Sequence, residues 1–69
     1  MAKDLIIKEG VVVEMLPATT YKVEADGKIL IAYMAGKMRQ NRIMVLVGDK
    51  VKLEISPKDE TRGRITRRL

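Results

Sequence analysis

Residues 36–51 read GKMRQNRIMVLVGDKV. Gly36 to Asn41 is polar, holds good helix formers and lacks period-two alternation, which predicts one short helical turn. An irregular or extended apolar segment, Ile43–Val47, follows. Gly48-Asp49 then turns the chain into a strand from Val51 to Ser56, with Val51, Leu53 and Ile55 inward and Lys52 and Glu54 outward. Lys37, Arg39 and Arg42 lie in this stretch, and no acidic residue falls between Gly36 and Gly48. The stretch therefore places a helical interruption and a concentration of positive charge at one point of the chain.

Outward from it, Val, Ile, Leu and Met fall in short runs separated by turn signals, the pattern of a small all-β domain. A long first strand runs from Ile6 to Leu16, and Gly10 inside it predicts a bulge or sharp bend. Pro17 cannot donate to a ladder and ends it. The second strand is Thr19–Ala25 and the third Lys28–Met34, joined by Asp26-Gly27, the strongest hairpin signal in the chain. A two-residue loop sets Ala25 against Lys28, Val23 against Leu30, Tyr21 against Ala32 and Thr20 against Tyr33. Opposed residues share a face. Tyr21, Val23, Leu30, Ala32 and Met34 thus form the core face, and Thr20, Lys22, Glu24, Ile29, Ile31 and Tyr33 the outer one.

On the C-terminal side, Ser56-Pro57 opens a polar loop through Thr61. A fifth strand, Arg62–Arg67, has Ile65 as its one large apolar residue and reads as an edge or closing strand. Five strands with a helical turn between the third and fourth give the layout of an all-β, five-stranded OB-fold barrel, a single domain over residues 1–69. The alternative is a five-stranded SH3-like barrel. That fold places its helical turn before the last strand, and nothing between Ser56 and Arg62 favours it.

The chain has 69 residues, 14 Lys and Arg against 9 Asp and Glu, and a net charge of +5. Lys37, Arg39 and Arg42 form one acid-free zone. Arg62, Arg64, Arg67 and Arg68, with no acid after Glu60, form a second. All six arginines lie in these zones, and the remainder of the chain is slightly acidic. A localised basic patch on a small domain marks a binder of polyanions, and arginine suits planar stacking and bidentate phosphate contact.

The chain contains no Cys and no His. The usual zinc ligands, the usual general base and every Ser-His or Cys-His arrangement are therefore missing. Asp59-Glu60 reads as a solvated turn, and Gly36-Lys37 lacks the glycine spacing of a phosphate loop. The expectation is a protein that is not an enzyme and takes no metal or cofactor. The opening MAKDLIIKEG is charged throughout and reads as neither secretory signal nor membrane span. That predicts a cytoplasmic protein, or one of the plastid or mitochondrial matrix.

Aromatic residues are scarce: two Tyr, no Phe and no Trp. Binders of single-stranded nucleic acid present several aromatic platforms. Here Tyr33 is the one outward candidate, so contact with the phosphates and grooves of folded RNA fits better. Met34 is expected to fill the core, and Met38 and Met44 read either as core or as partner contacts, core filling being the expectation. The competing reading is a general RNA-binding or RNA-chaperone OB-fold protein of cold-shock type, which would need exposed aromatic motifs on the second and third strands.

Several motifs occur in a fixed order: MAKDL at the start, Leu16-Pro17-x-x-x-Tyr21-x-Val23, the hairpin Asp26-Gly27, GKMRQNRI at Gly36–Ile43, GDKV at Gly48–Val51, Ser56-Pro57-x-Asp59 and Arg62-Gly63-Arg64-Ile65. Together they resemble bacterial translation initiation factor one over nearly the whole chain. The resemblance implies an OB-fold factor without enzymatic activity, monomeric off the ribosome. It implies binding at the decoding (aminoacyl) site of the small ribosomal subunit, contact with ribosomal RNA and a neighbouring ribosomal protein, obstruction of early tRNA arrival there, and cooperation with the other initiation factors. It carries RNA contact onto Lys37, Met38, Arg39, Arg62 and Arg64, and matches Lys3 to the family's basic N-terminal tail. The charge map adds Arg42, Arg67 and Arg68, and the hairpin register adds Tyr33. The chain departs from the family where Tyr33 replaces a frequent histidine, Arg42 a frequent tyrosine, Met44 a frequent arginine and Arg67 an aromatic.

Overall fold

The computed structural model describes residues 5–69. Its elements are β1 (Ile6–Leu16), β2 (Thr20–Ala25), β3 (Lys28–Met34), α1 (Gly36–Gln40), β4 (Lys50–Ser56) and β5 (Asp59–Arg68). The strands close into a barrel in the order β1-β2-β3-β5-β4. That closure, with the helix between β3 and β4, is the OB fold.

The β2–β3 hairpin has the expected register, from Ala25 against Lys28 to Thr20 against Tyr33. Asp26 and Gly27 both adopt positive φ, 54° and 77°, as a primed two-residue turn requires. Tyr21, Val23, Leu30, Ala32 and Met34 are buried, and they join Val51, Leu53, Ile55 and Ile65 in one core. Among the described residues no polar or charged side chain is buried.

β1 serves two neighbours. Ile6–Val11 pairs with β4, and Val11–Leu16 pairs with β2. At this handover a Cβ on Gly10 would lie 2.6 Å from Val23 Cγ1 and 2.7 Å from the Glu24 carbonyl oxygen. Gly10 thus allows two strand backbones to approach closely. The ladder irregularity itself falls between Val12 and Glu14, not at Gly10.

β5 departs from the sequence reading. It begins at Asp59, not Arg62, and the polar loop expected to reach Thr61 is a turn at Pro57-Lys58, since Ser56 pairs with Asp59. Side-chain oxygens pin this corner. Ser56 Oγ accepts the Lys58 N–H at 3.2 Å, and Asp59 Oδ1 accepts the Thr61 N–H at 3.2 Å. Residues 59–62 are all exposed, so no alternating burial pattern announces a strand there. β5 pairs antiparallel with β4 and parallel with β3, which makes it the closing strand. β2 and β4 begin one residue from their expected starts, at Thr20 and Lys50.

α1 has neither a side-chain cap at Ala35 nor an acidic residue in its first turn. Five residues do not hold a helix by propensity alone. Tertiary contacts hold it instead: Met38 is 4% exposed, and the Ala35 N–H donates to the Ile65 carbonyl at 2.8 Å. Its C-terminus closes in a Schellman arrangement. Ile43 N–H donates to Met38 O at 3.0 Å and Arg42 N–H to Arg39 O at 3.2 Å, with Arg42 at φ 54°. In the following segment Val45 turns inward, and Met44 is 65% exposed rather than in the core as expected. The segment is irregular: Met44, Leu46 and Val47 are all exposed, and Val45 alone is fully buried there.

Candidate nucleic-acid interface

The first basic zone meets the end of the second, Arg67 and Arg68, in space. A groove of about 370 Å³ lies between α1 and the end of β5, and Lys37, Met38, Asn41, Ile43, Arg67 and Arg68 line it. No acidic residue does. Arg68 Nη1 donates to the Met44 carbonyl at 2.9 Å, which ties the end of β5 to the segment after the helix. Arg39 and Arg42 are exposed on the same segment without lining the groove. Lys37, Arg39, Arg42, Arg67 and Arg68 form no ion pair with any described residue. Met38 both lines the groove and belongs to the core, where it is 4% exposed. Lys3 lies outside the described residues.

A second cleft, of about 240 Å³, lies on the outer face of β3, β4 and β5, lined among others by Leu5, Tyr33, Glu54, Asp59, Arg62 and Arg64. Tyr33 is 49% exposed and stands opposite Arg64 in the parallel β3–β5 pairing. On its other side Arg64 stands opposite Glu54. Arg64 Nη2 donates to Glu54 Oε1 at 2.6 Å, and this hydrogen bond is the main cause raising the guanidinium pKa above its usual range. Arg62 Nε is 4.0 Å from Asp59 Oδ2. The Asp59 carboxyl is held below the usual carboxylate range, chiefly by the Thr61 hydroxyl and N–H. Each cation of this cleft therefore has a carboxylate beside it, whereas the α1–β5 groove carries uncompensated positive charge.

Sequence reasoning did not single out Glu54 and Asp59, which line this cleft beside Arg64 and Arg62. A plain two-residue hairpin at Pro57-Lys58 would set Glu54 against Thr61. A shift in the β4–β5 ladder between Glu54 and Ser56 brings Arg64 there instead. Among the described residues no group of three or more carboxylates could hold a metal ion.

A closed barrel of this topology, with an arginine-lined groove and an outward tyrosine on β3, defines an OB-fold protein of the nucleic-acid-binding class. The family model for translation initiation factor 1A / IF-1 matches residues 3–69, and the chain belongs to that family. It is similar to the solution structure of translation initiation factor one from the Wolbachia endosymbiont strain TRS of Brugia malayi. That match has 37% identity and a TM-score of 0.78, over 97% of this chain and 80% of the other. The crystal structure of YjeQ from Thermotoga maritima matches 93% of this chain and 23% of its own, at 24% identity and a TM-score of 0.74. That likeness is one of fold alone. The family is one of RNA-binding proteins of translation initiation.

Proposed function

We propose that the protein binds the decoding (aminoacyl) site of the small ribosomal subunit through ribosomal RNA and a neighbouring ribosomal protein, obstructs early tRNA arrival there, and cooperates with the other initiation factors in the cytoplasm without catalysing a reaction. The observation that carries this reading, beside family membership, is the meeting of the first acid-free zone with Arg67 and Arg68 of the second at the α1–β5 groove. Five cations without carboxylate partners among the described residues suit a dense, folded array of phosphates. The single exposed aromatic on the β2–β3 face disfavours the competing general RNA chaperone, which needs several. Among the described residues no helix is long and apolar enough to cross a membrane.

Co-sedimentation with purified small and large ribosomal subunits at two salt concentrations tests the proposal. The expected result is binding to the small subunit alone, falling steeply as salt rises because neutralised phosphates release counterions. Equal binding to both subunits would favour the general RNA-binding reading. Binding indifferent to salt would remove the phosphate argument.

A further inference from the structure

The two clefts differ in the state of their charges, and the difference traces to one carboxylate. Glu54 and Arg64 are opposed on neighbouring strands, with side chains 26% and 47% exposed. The pair is thus partly shielded, unlike a pair between two mobile surface chains. A guanidinium carries five N–H donors in a fixed fork. Glu54 Oε1 takes one through Nη2, which anchors one arm of the fork on the strand opposite the one that carries Tyr33. The pair has little net charge, so its attraction for a distant phosphate falls off far faster than that of a lone cation.

We propose that Glu54 is a positioning residue for RNA recognition: it holds the Arg64 guanidinium beside Tyr33 as a charge-compensated hydrogen-bonding fork, so that this row contributes selectivity while the α1–β5 groove contributes phosphate attraction. This rests on the reading that the protein binds small-subunit RNA. A free arginine in a basic patch binds any phosphate within reach and strengthens correct and incorrect complexes alike. An arginine held by a carboxylate gains only where a partner offers acceptors in the plane of its remaining donors.

The test uses the full chain and five forms: wild type, Glu54→Gln, Glu54→Asp, Arg64→Gln and the Glu54→Gln/Arg64→Gln double variant. Each is titrated with purified small subunits and with a fully paired RNA hairpin over a range of salt. Glu54→Gln keeps an acceptor and removes the negative charge. It is expected to steepen the dependence of log affinity on log salt for the hairpin by about 0.7–0.9, one further phosphate. It should also lower the ratio of subunit to hairpin affinity by about fivefold or more. In the Arg64→Gln background the same change should alter neither quantity, and Glu54→Asp, which retains the charge, should keep the wild-type slope. A structural role for Glu54 would move the melting temperature and leave slope and ratio alone; that result overturns the proposal. So does an unchanged slope and ratio in Glu54→Gln when Arg64→Gln weakens subunit binding. If the wild type fails to bind small subunits, the functional reading falls, and the hairpin slopes still judge the part played by Glu54.

Discussion

Tyr33 and Arg64 stand directly opposite each other in the parallel β3–β5 pairing and both face solvent, while the next pair inward, Ala32 and Gly63, is buried. Tyr21, on the other face of the same hairpin, is 6% exposed, and its hydroxyl reaches Met34 Sδ at 4.0 Å. Tyr21→Ala is expected to destabilise the domain by about 3–5 kcal/mol, and Tyr33→Ala to cost little. If the Tyr33 ring stacks on a base, its loss lowers RNA affinity by about 1–3 kcal/mol. Chemical denaturation of both variants, with subunit titration of Tyr33→Ala, measures the two effects. A larger stability loss for Tyr33→Ala would contradict the hairpin register.

Arg39→Ala and Arg64→Ala should each weaken subunit binding for different structural reasons. Arg39 has no ion pair among the described residues, so its removal should leave the melting temperature unchanged and flatten the salt dependence. Arg64 loses its partner Glu54 as well, at a cost of up to about 1 kcal/mol for a solvent-screened pair. Thermal melts and affinity at two salt concentrations separate the cases. Unchanged affinity with a large stability loss would make these residues structural.

Gly10→Ala puts a methyl group where Val23 Cγ1 and the Glu24 carbonyl oxygen already lie 2.6 and 2.7 Å away. The side chain can turn aside, but the carbonyl belongs to the paired β2 backbone. The expected cost is about 1–3 kcal/mol, as for overpacked cores, read from the denaturation midpoint. Because the damage falls at the β1 handover, the salt dependence of RNA binding by the folded fraction should stay unchanged.

Acid should weaken the fold through two carboxylates. Asp26 is held below its ordinary 3.8 by the hydrogen bond from Lys8, and Asp59 below the same value by Thr61. A carboxylate with a lower pKa in the folded state stabilises it fully above the unfolded value, and that contribution vanishes as pH falls through the folded one. The melting temperature should therefore drop as pH falls below about 4. In Asp59→Asn it should start lower at neutral pH and decline less steeply. Parallel acid profiles for the two proteins would count against this origin.

Legibility tracks how locally each feature is determined. The β2–β3 hairpin can be read because Asp26-Gly27 fixes the turn and the turn fixes the face of each neighbour. Lys37, Arg39 and Arg42 can be placed on one segment because Gly36–Asn41 carries the composition of a helical turn. The start of β5 cannot, because residues 59–62 bury nothing and are held by main-chain pairing. Nor can the partnership of Glu54 with Arg64, which depends on a ladder shift that no turn motif announces. Met44 departs from expectation because hydrophobicity does not guarantee burial in a short irregular segment, where Val45 is fully buried and Met44, Leu46 and Val47 are left exposed.

The insertion of β5 between β3 and β4 has a consequence for a chain still being synthesised. Until β5 appears, β3 and β4 each present an open edge, the kind of surface on which strands from other chains assemble. The strand that removes both edges also delivers four of the six arginines. A nascent chain halted at Ser56 would therefore be prone to aggregate and would lack most of its arginine charge. Closure of the barrel and most of its arginine charge arrive together.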